Sequence, residues 1–270
     1  MRPAFLMCRP TFYGIHYRIN PWMDLRRQAN RAVALRQWQT LREVLEHEFR
    51  ATVHLCRARP GLPDMTFTAN AGLVRGRVFV PSRFRYPERA GEEPHFTRWF
   101  RRRGYAVRPL AGDGRFEGAG DTLFVGDTLF AGYYFRTDVL THTALGEALG
   151  VRVVSLQLVN PRFYHLDTCF APLGRAAALY YPRAFDDYAR RVLKETVGDL
   201  VPVNDAEAHE FGCNAVVAGR RAVVSEPCRE LARALRRRGY AVYGANFSEF
   251  IKAGGAAKCL TLRLDDAGAG

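Results

Sequence analysis

RRRGYAV at residues 101–107 returns as RRRGYAV at residues 236–242, and a segment repeated this far apart asks whether the whole chain is built from one unit. Phe96, Trp99, Phe100 and Arg103 fall on one helical face ahead of the first copy; Cys228, Leu231, Ala232 and Leu235 do so ahead of the second. Gly104 and Gly239 then stand where a helix ends most cheaply in a left-handed residue. A short apolar strand follows each. The same order of helix, stop, strand, polar loop and strand pair can be read three more times. Trp38, Leu41, Leu45 and Phe49 precede a strand near 51–55; Leu145 and Leu149 precede Gly150 and VRVVSLQL; Phe185, Tyr188 and Val192 precede Gly198 and DLVPV. The strand pairs are TFTANAGLVRGRVFV, FEGAGDTLFVGDTLFAGYYF, YHLDTCFAPLGRAAALYYP, FGCNAVVAGRRAVVS and AGGAAKCLTLRL.

Aligned on those pairs, Asn70, Glu117, His165, Cys213 and Cys259 occupy one repeat position, separated by 47, 48, 48 and 46 residues. A unit of this size cannot bury a helix face and a sheet face alone, so neighbours must pack in a ring or a stack. A stack would string the five positions in a row, whereas a ring gathers them at its axis. The N-terminal AFLMC has no helix of its own and is expected beside LTLRL, completing a fifth sheet and closing the ring. The expected fold is α/β, a pseudo-fivefold closed ring in one domain over residues 1–270.

Composition agrees with a packed protein: 48% apolar, 12% aromatic and 25% charged residues exclude disorder and collagen. No apolar run approaches the length of a membrane span, and the first residues lack a signal-peptide core, so a cytoplasmic protein is expected. Six cysteines without a C-x-x-C pair point to reduced thiols, not to a zinc ribbon or a disulfide scaffold. The net charge of +13 raises a rival class, a basic non-catalytic ring that binds nucleic acid. The basic residues are dispersed, and the two RRR runs lie at helix ends, where cations favour the helix dipole. No nucleic-acid, membrane or metal partner is expected; the seven histidines include no H-x-x-x-H pair.

A thiol, an imidazole and carboxylates meeting at a hub suit nucleophilic attack on an electron-poor carbon. Cys259 is the candidate nucleophile and His165 the proton carrier; Asp167 and Asp121 are candidates to hold a cation. Gly254, Gly255, Ala256 and Ala257 leave a side-chain-poor approach to Cys259, as a lid or a close backbone contact requires. Cys213 and Cys169 read as packing thiols.

FEGAGD at 116–121, FYHLDTCF at 163–170 and GGAAKC ending at Cys259, in this order and spacing, resemble the guanidine-modifying superfamily with the pentein fold. Its members include arginine and agmatine deiminases, dimethylarginine dimethylaminohydrolases, amidinotransferases and arginine dihydrolases. The resemblance spans nearly the whole chain. It implies a five-bladed α/β propeller, in agreement with the repeat count, and no cofactor. It also implies that Cys259 attacks the guanidinium carbon, that His165 protonates the departing amine and then activates water, and that Glu117 orients both imidazole and guanidinium. Asp167 would clamp guanidinium nitrogens, and Arg89 and Arg136 would hold the substrate's carboxylate, a task suited to a bidentate fork.

Dimethylarginine dimethylaminohydrolases tend to carry Lys where this chain has Asp167, so HLD favours an unmethylated guanidinium. Deiminases read FTRD where this chain reads FTAN, which puts neutral Asn70 in place of a carboxylate. An amide can accept from a guanidinium and donate to a ureido carbonyl, so Asn70, with Asn20 in INPWM, would permit a second hydrolysis. The resemblance is strongest to arginine dihydrolases, which release ornithine, carbon dioxide and two ammonia from arginine. The alternatives are an arginine deiminase stopping at citrulline and a dimethylarginine dimethylaminohydrolase.

Overall fold

The computed structural model describes residues 2–265. Strand β1 (Ala4–Cys8) leads through helix α1 (Arg31–Glu43) to β2 (Thr52–Cys56). A hairpin of β3 (Gly72–Arg75) and β4 (Val78–Pro81) is followed by α2 (Pro87–Ala90), α3 (Glu93–Arg101) and β5 (Ala106–Val107). The pattern recurs as β6 (Thr122–Val125), β7 (Thr128–Tyr133), α4 (Thr141–Leu149) and β8 (Arg152–Gln157). It recurs again as β9 (Phe170–Pro172), β10 (Ala177–Tyr180), α5 (Asp187–Thr196) and β11 (Asp199–Pro202). After α6 (Asp205–His209) come β12 (Val216–Ala218), β13 (Arg221–Ser225), α7 (Arg229–Arg237) and β14 (Ala241–Ala245), then α8 (Ser248–Ile251) and β15 (Leu262–Arg263).

These strands form five three-stranded sheets of one design. The middle strand runs antiparallel to the strand before it and, across a helix, parallel to the strand after it. The helical crossover is what a parallel neighbour demands. The fifth sheet joins the two ends of the chain, with Phe5 opposite Arg263 and Leu6 opposite Leu262. AGGAAKCLTLRL thus supplies one strand, not the expected pair, and β1 takes the place of the second.

The helix faces follow the sequence periodicity with one correction. Phe96, Trp99 and Phe100 of α3 are buried, and Phe100 stacks on Phe79 of β4 at a centroid distance of 3.7 Å. Each such ring contributes roughly 1.5–3 kcal/mol by leaving water. Leu231, Ala232 and Leu235 do the same for α7. Gly104 and Gly239 end their helices at φ of +74° and +79°, where a side chain would be strained. In α5, however, Tyr188 is 62% exposed, and the buried stripe is Ala189 and Leu193, one residue later. Among the described residues no helix is long and apolar enough to cross a membrane.

Just ahead of β3, β6, β9, β12 and β15 lie the five equivalent segments, each hydrogen-bonded to its neighbour. Asn70 Nδ2 donates to the carbonyl of Glu117 (3.2 Å), Leu166 N to Asp121 (3.2 Å), Asn214 Nδ2 to the carbonyl of Asp167 (2.9 Å), and Lys258 N to the carbonyl of Asn214 (3.2 Å). Ala69 N donates to the carbonyl of Cys259 at 3.1 Å, linking fifth segment to first.

Candidate active site

All five repeat-position residues, Asn70, Glu117, His165, Cys213 and Cys259, are buried. Cys259 sits in the turn before β15, with its sulfur 3.5 Å and 3.7 Å from the two oxygens of Asp167. Asn214 Nδ2 donates to that sulfur at 3.1 Å. Burial, reinforced by the Asp167 carboxylate, pushes the Cys259 thiol well above its usual range. Burial also pushes Asp167 up to about 7, against the opposing charge of Lys258. The resting pair is thus a thiol beside a carboxyl group poised near neutrality.

His165 Nε2 lies 2.7 Å from Glu117 Oε2, and Arg136 Nη1 donates to the same oxygen at 2.9 Å. Burial brings His165 down to about 4, with the Glu117 bond opposing it. The Glu117 carboxyl is held below the usual carboxylate range: burial alone would raise it, but the Arg136 guanidinium and the His165 contact outweigh that. The imidazole is therefore neutral and the carboxylate charged near neutral pH.

Cys259, His165, Asn70, Arg89, Arg136 and Asn20 line one narrow cavity of about 10 Å³. Arg89 is fully buried, forked onto Glu92 at 2.8 Å and 2.9 Å, and donates to Asn70 Oδ1 at 2.9 Å. Arg136 stacks between Tyr86 and Tyr164, 4.8 Å and 4.5 Å from their ring centres. Asn20 fastens its own loop: Nδ2 donates to the Ala253 carbonyl at 3.0 Å, and Oδ1 accepts from Trp22 N at 2.9 Å. Two glycines explain themselves by contact. A Cβ on Gly120 would lie 2.2 Å from Asn70 Nδ2, and one on Gly254, at φ of +83°, would lie 2.8 Å from the Tyr164 hydroxyl. The side-chain-poor approach to Cys259 is thus a close backbone contact.

Asp121 is placed differently from the cation-holding position expected. It lies behind the cavity, accepting from the Thr137 hydroxyl at 2.6 Å and from Leu166 N at 3.2 Å, so it braces the His165 segment. Cys213 and Cys169 are core thiols raised by burial, as expected, and all six cysteines are free. Two residues escaped the sequence reading. Asp64 lines the cavity, fully buried, with Oδ1 lacking a hydrogen-bond partner among the described residues and its acidity weakened by burial. Asn214 follows Cys213, so the repeat alignment came within one residue of it. A wider cavity of about 270 Å³, walled by Phe5, Phe124, Phe170 and Leu262, holds none of the repeat-position residues.

No protein-family model matches the chain. The bifunctional arginine dihydrolase/ornithine cyclodeaminase AgrE of Nostoc sp. is 44% identical over 270 residues, which is 98% of this chain and 38% of that protein. The chain therefore spans less than two fifths of the length of that curated relative. The N(G),N(G)-dimethylarginine dimethylaminohydrolase of Mycobacterium tuberculosis is 41% identical over 263 residues, 96% of this chain and 85% of the relative. Among solved structures, the N-terminal domain of ArgZ, an arginine dihydrolase from cyanobacteria, was determined as a cysteine-to-serine variant bound to substrate. It superposes with a TM-score of 0.93 at 42% identity over 98% of both chains. Another variant of that domain, asparagine to serine, is covalently bonded to a reaction intermediate. On this similarity and the five repeated sheets, the chain belongs to the guanidine-modifying pentein superfamily.

Proposed function

We propose that this chain is an L-arginine dihydrolase, in which Cys259 attacks the guanidinium carbon twice and releases ornithine, carbon dioxide and two ammonia. The observation that carries the reading is Asn70, a neutral amide on the wall of the cavity that also holds Cys259 and His165. It uses one lone pair on Arg89 and one N–H on the Glu117 carbonyl. One acceptor site and one donor are left, enough to face first a guanidinium and then a ureido oxygen. The likeness to the arginine dihydrolase domain supports the same substrate.

The roles follow from the charges. A guanidinium arriving beside Cys259 and the Asp167 carboxylate offsets the burial that keeps the thiol protonated, so the thiol proton can leave for neutral His165 as sulfur attacks carbon. His165 passes that proton to the departing ammonia as the C–N bond breaks, and Glu117 stabilises the transient imidazolium. Water then adds to the thiouronium carbon, His165 takes its proton, and the C–S bond breaks to leave citrulline and the free thiol. In the second round ammonia leaves again, water cleaves the S-carbamoyl bond, and the resulting carbamate loses carbon dioxide. Arginine and two waters balance the products.

Among the described residues Arg136 spends two of its five N–H groups, on Glu117 and Ile19, so it is the stronger candidate to hold the substrate's α-carboxylate. Arg89 stands beside it, and Asp64 is suited to the α-ammonium. Asn20 also lines the cavity and is tied to the Ala253 carbonyl and the Tyr164 hydroxyl, which places it to touch bound substrate. The reading takes residues 1–270 as one catalytic domain whose five sheets close into a propeller, supported by the β1–β15 pairing and the five linked segments. Six free thiols favour the cytoplasm.

A second reading, hydrolysis of methylated arginines, is favoured by the mycobacterial relative. Arginine, citrulline, methylated arginines and agmatine offered separately, with products identified by mass, distinguish the two. Turnover of arginine to ornithine supports dihydrolysis; turnover confined to methylated arginines overturns it.

A further inference from the structure

Cys259 has a partner that the chemistry above leaves unused. Asn214 is completely buried between β12 and the turn that carries the nucleophile. Its Oδ1 accepts from Ala256 N and from Cys259 N, each at 3.1 Å, so the carbonyl end fixes the backbone on which the nucleophile rides. Its Nδ2 donates to the Cys259 sulfur at 3.1 Å and to the Asp167 carbonyl at 2.9 Å. All four bonds tie the fourth repeat to the third and the fifth at the point where sulfur meets carboxylate. The Asn214 orientation is fixed by its partners: two backbone donors face one end of the amide and an acceptor carbonyl faces the other, so a flipped amide would lose all three.

We propose that Asn214 is a catalytic residue whose amide stabilises Cys259 as thiolate and keeps its sulfur aimed past Asp167 into the cavity. The inference rests on Cys259 being the nucleophile and is independent of which guanidine compound is hydrolysed. Buried sulfur beside a carboxylate resists ionisation, through both desolvation and like charge. A hydrogen bond that strengthens as sulfur becomes negative acts in the opposite direction, and bonds to charged groups are the stronger kind. Asn214 Nδ2 donates to the sulfur at 3.1 Å, and the Ala256 N–H, itself held by Asn214 Oδ1, also favours the ionised form. The same bond would hold the sulfur again when each covalent intermediate collapses and thiolate departs.

Asn214→Asp keeps the acceptor for Cys259 N and Ala256 N and replaces Nδ2, which serves both the sulfur and the Asp167 carbonyl, with a carboxylate oxygen, while the neutral Asn214→Ser adds no charge beside the sulfur. The rate at which iodoacetamide alkylates Cys259 in the substrate-free enzyme, followed against pH by mass spectrometry, reads the thiolate directly. The expected result is a profile displaced upward by roughly one pH unit or more, with kcat/KM for arginine falling roughly 10- to 100-fold. Asn214→Ser, whose hydroxyl can still donate, is expected to lie between Asn214→Asp and the unsubstituted enzyme, and it serves if the Asp variant does not fold. An alkylation profile unchanged in the folded variants overturns the proposal, whatever happens to turnover. A displaced profile in an enzyme that ignores arginine would sustain it while removing the dihydrolase reading.

Discussion

One oxygen of Glu117 is shared by two donors, His165 Nε2 at 2.7 Å and Arg136 Nη1 at 2.9 Å, so the proposed proton carrier and the proposed carboxylate-binding arginine are anchored to one buried charge. Substituting Glu117 therefore disturbs both. Glu117→Gln is expected to lower kcat roughly 10²- to 10⁴-fold, the range of lost acid–base catalysis, and to raise KM through Arg136. A fall in kcat with unchanged KM would separate the two functions.

The same burial sets a pH window for stability. His165 titrates at about 4 in the folded chain against 6.5 when free. A depressed value means that its contribution is present above pH 6.5 and is lost as pH falls toward 4, because only the unfolded chain binds the proton in that interval. His165→Gln should flatten the loss of Tm between pH 6.5 and 4; an unchanged slope would show that the imidazole is not desolvated as described.

Asp167 behaves with the opposite sign. Its folded value of about 7 exceeds the usual 3.8, so its contribution is complete below pH 3.8 and is lost as pH rises through 7. Asp167→Asn is expected to raise Tm at pH 8 while abolishing turnover, the trade common to charged sites held in apolar surroundings. A lower Tm at pH 8 would contradict the burial argument.

Asn70→Asp turns the bond with Arg89 into an ion pair and sets an oxygen against the Glu117 carbonyl that the amide now reaches at 3.2 Å. With no donor left for a ureido oxygen, citrulline is expected to accumulate from arginine. Ornithine formation at the original rate would remove Asn70 from the second round.

Asp64→Asn leaves the shape of the cavity but removes the charge from a carboxylate with an unpartnered oxygen. Loss of one charge-assisted contact to the α-ammonium should raise KM roughly 10- to 100-fold with a smaller effect on kcat. The check is steady-state kinetics with arginine beside 5-guanidinopentanoate, which keeps the guanidinium and the carboxylate but lacks the α-amine; an equal rise in KM for both would contradict the assignment.

What the sequence revealed, it revealed through repetition. Asn70, Glu117, His165 and Cys259 could be aligned because each occupies the same place in a unit written five times; Asn70, His165 and Cys259 line one cavity, and Glu117 stands behind it, bonded to His165. Asp64 belongs to no such position; in PDMT it looks like any turn aspartate after a proline, and only its burial distinguishes it. Arg89 and Arg136 were singled out by the family resemblance alone; by residue type they are two among many arginines, and the buried Glu92 and Glu117 facing them are what set them apart in the structure. Asp121 carried the right motif, yet the hydroxyl of Thr137, sixteen residues away, turns it from the cavity into a brace. The buried stripe of α5 was misjudged because Tyr188 is apolar enough to suggest a core and polar enough to face water.

The central claim is two rounds of attack at one carbon, and the most direct measurement follows that carbon. Arginine isotopically labelled at the guanidino position is incubated with the enzyme, and the label is located by NMR once the substrate is consumed. The account predicts label in carbon dioxide and bicarbonate, with unlabelled ornithine in equal amount. Label resting in the ureido carbon of citrulline would contradict it.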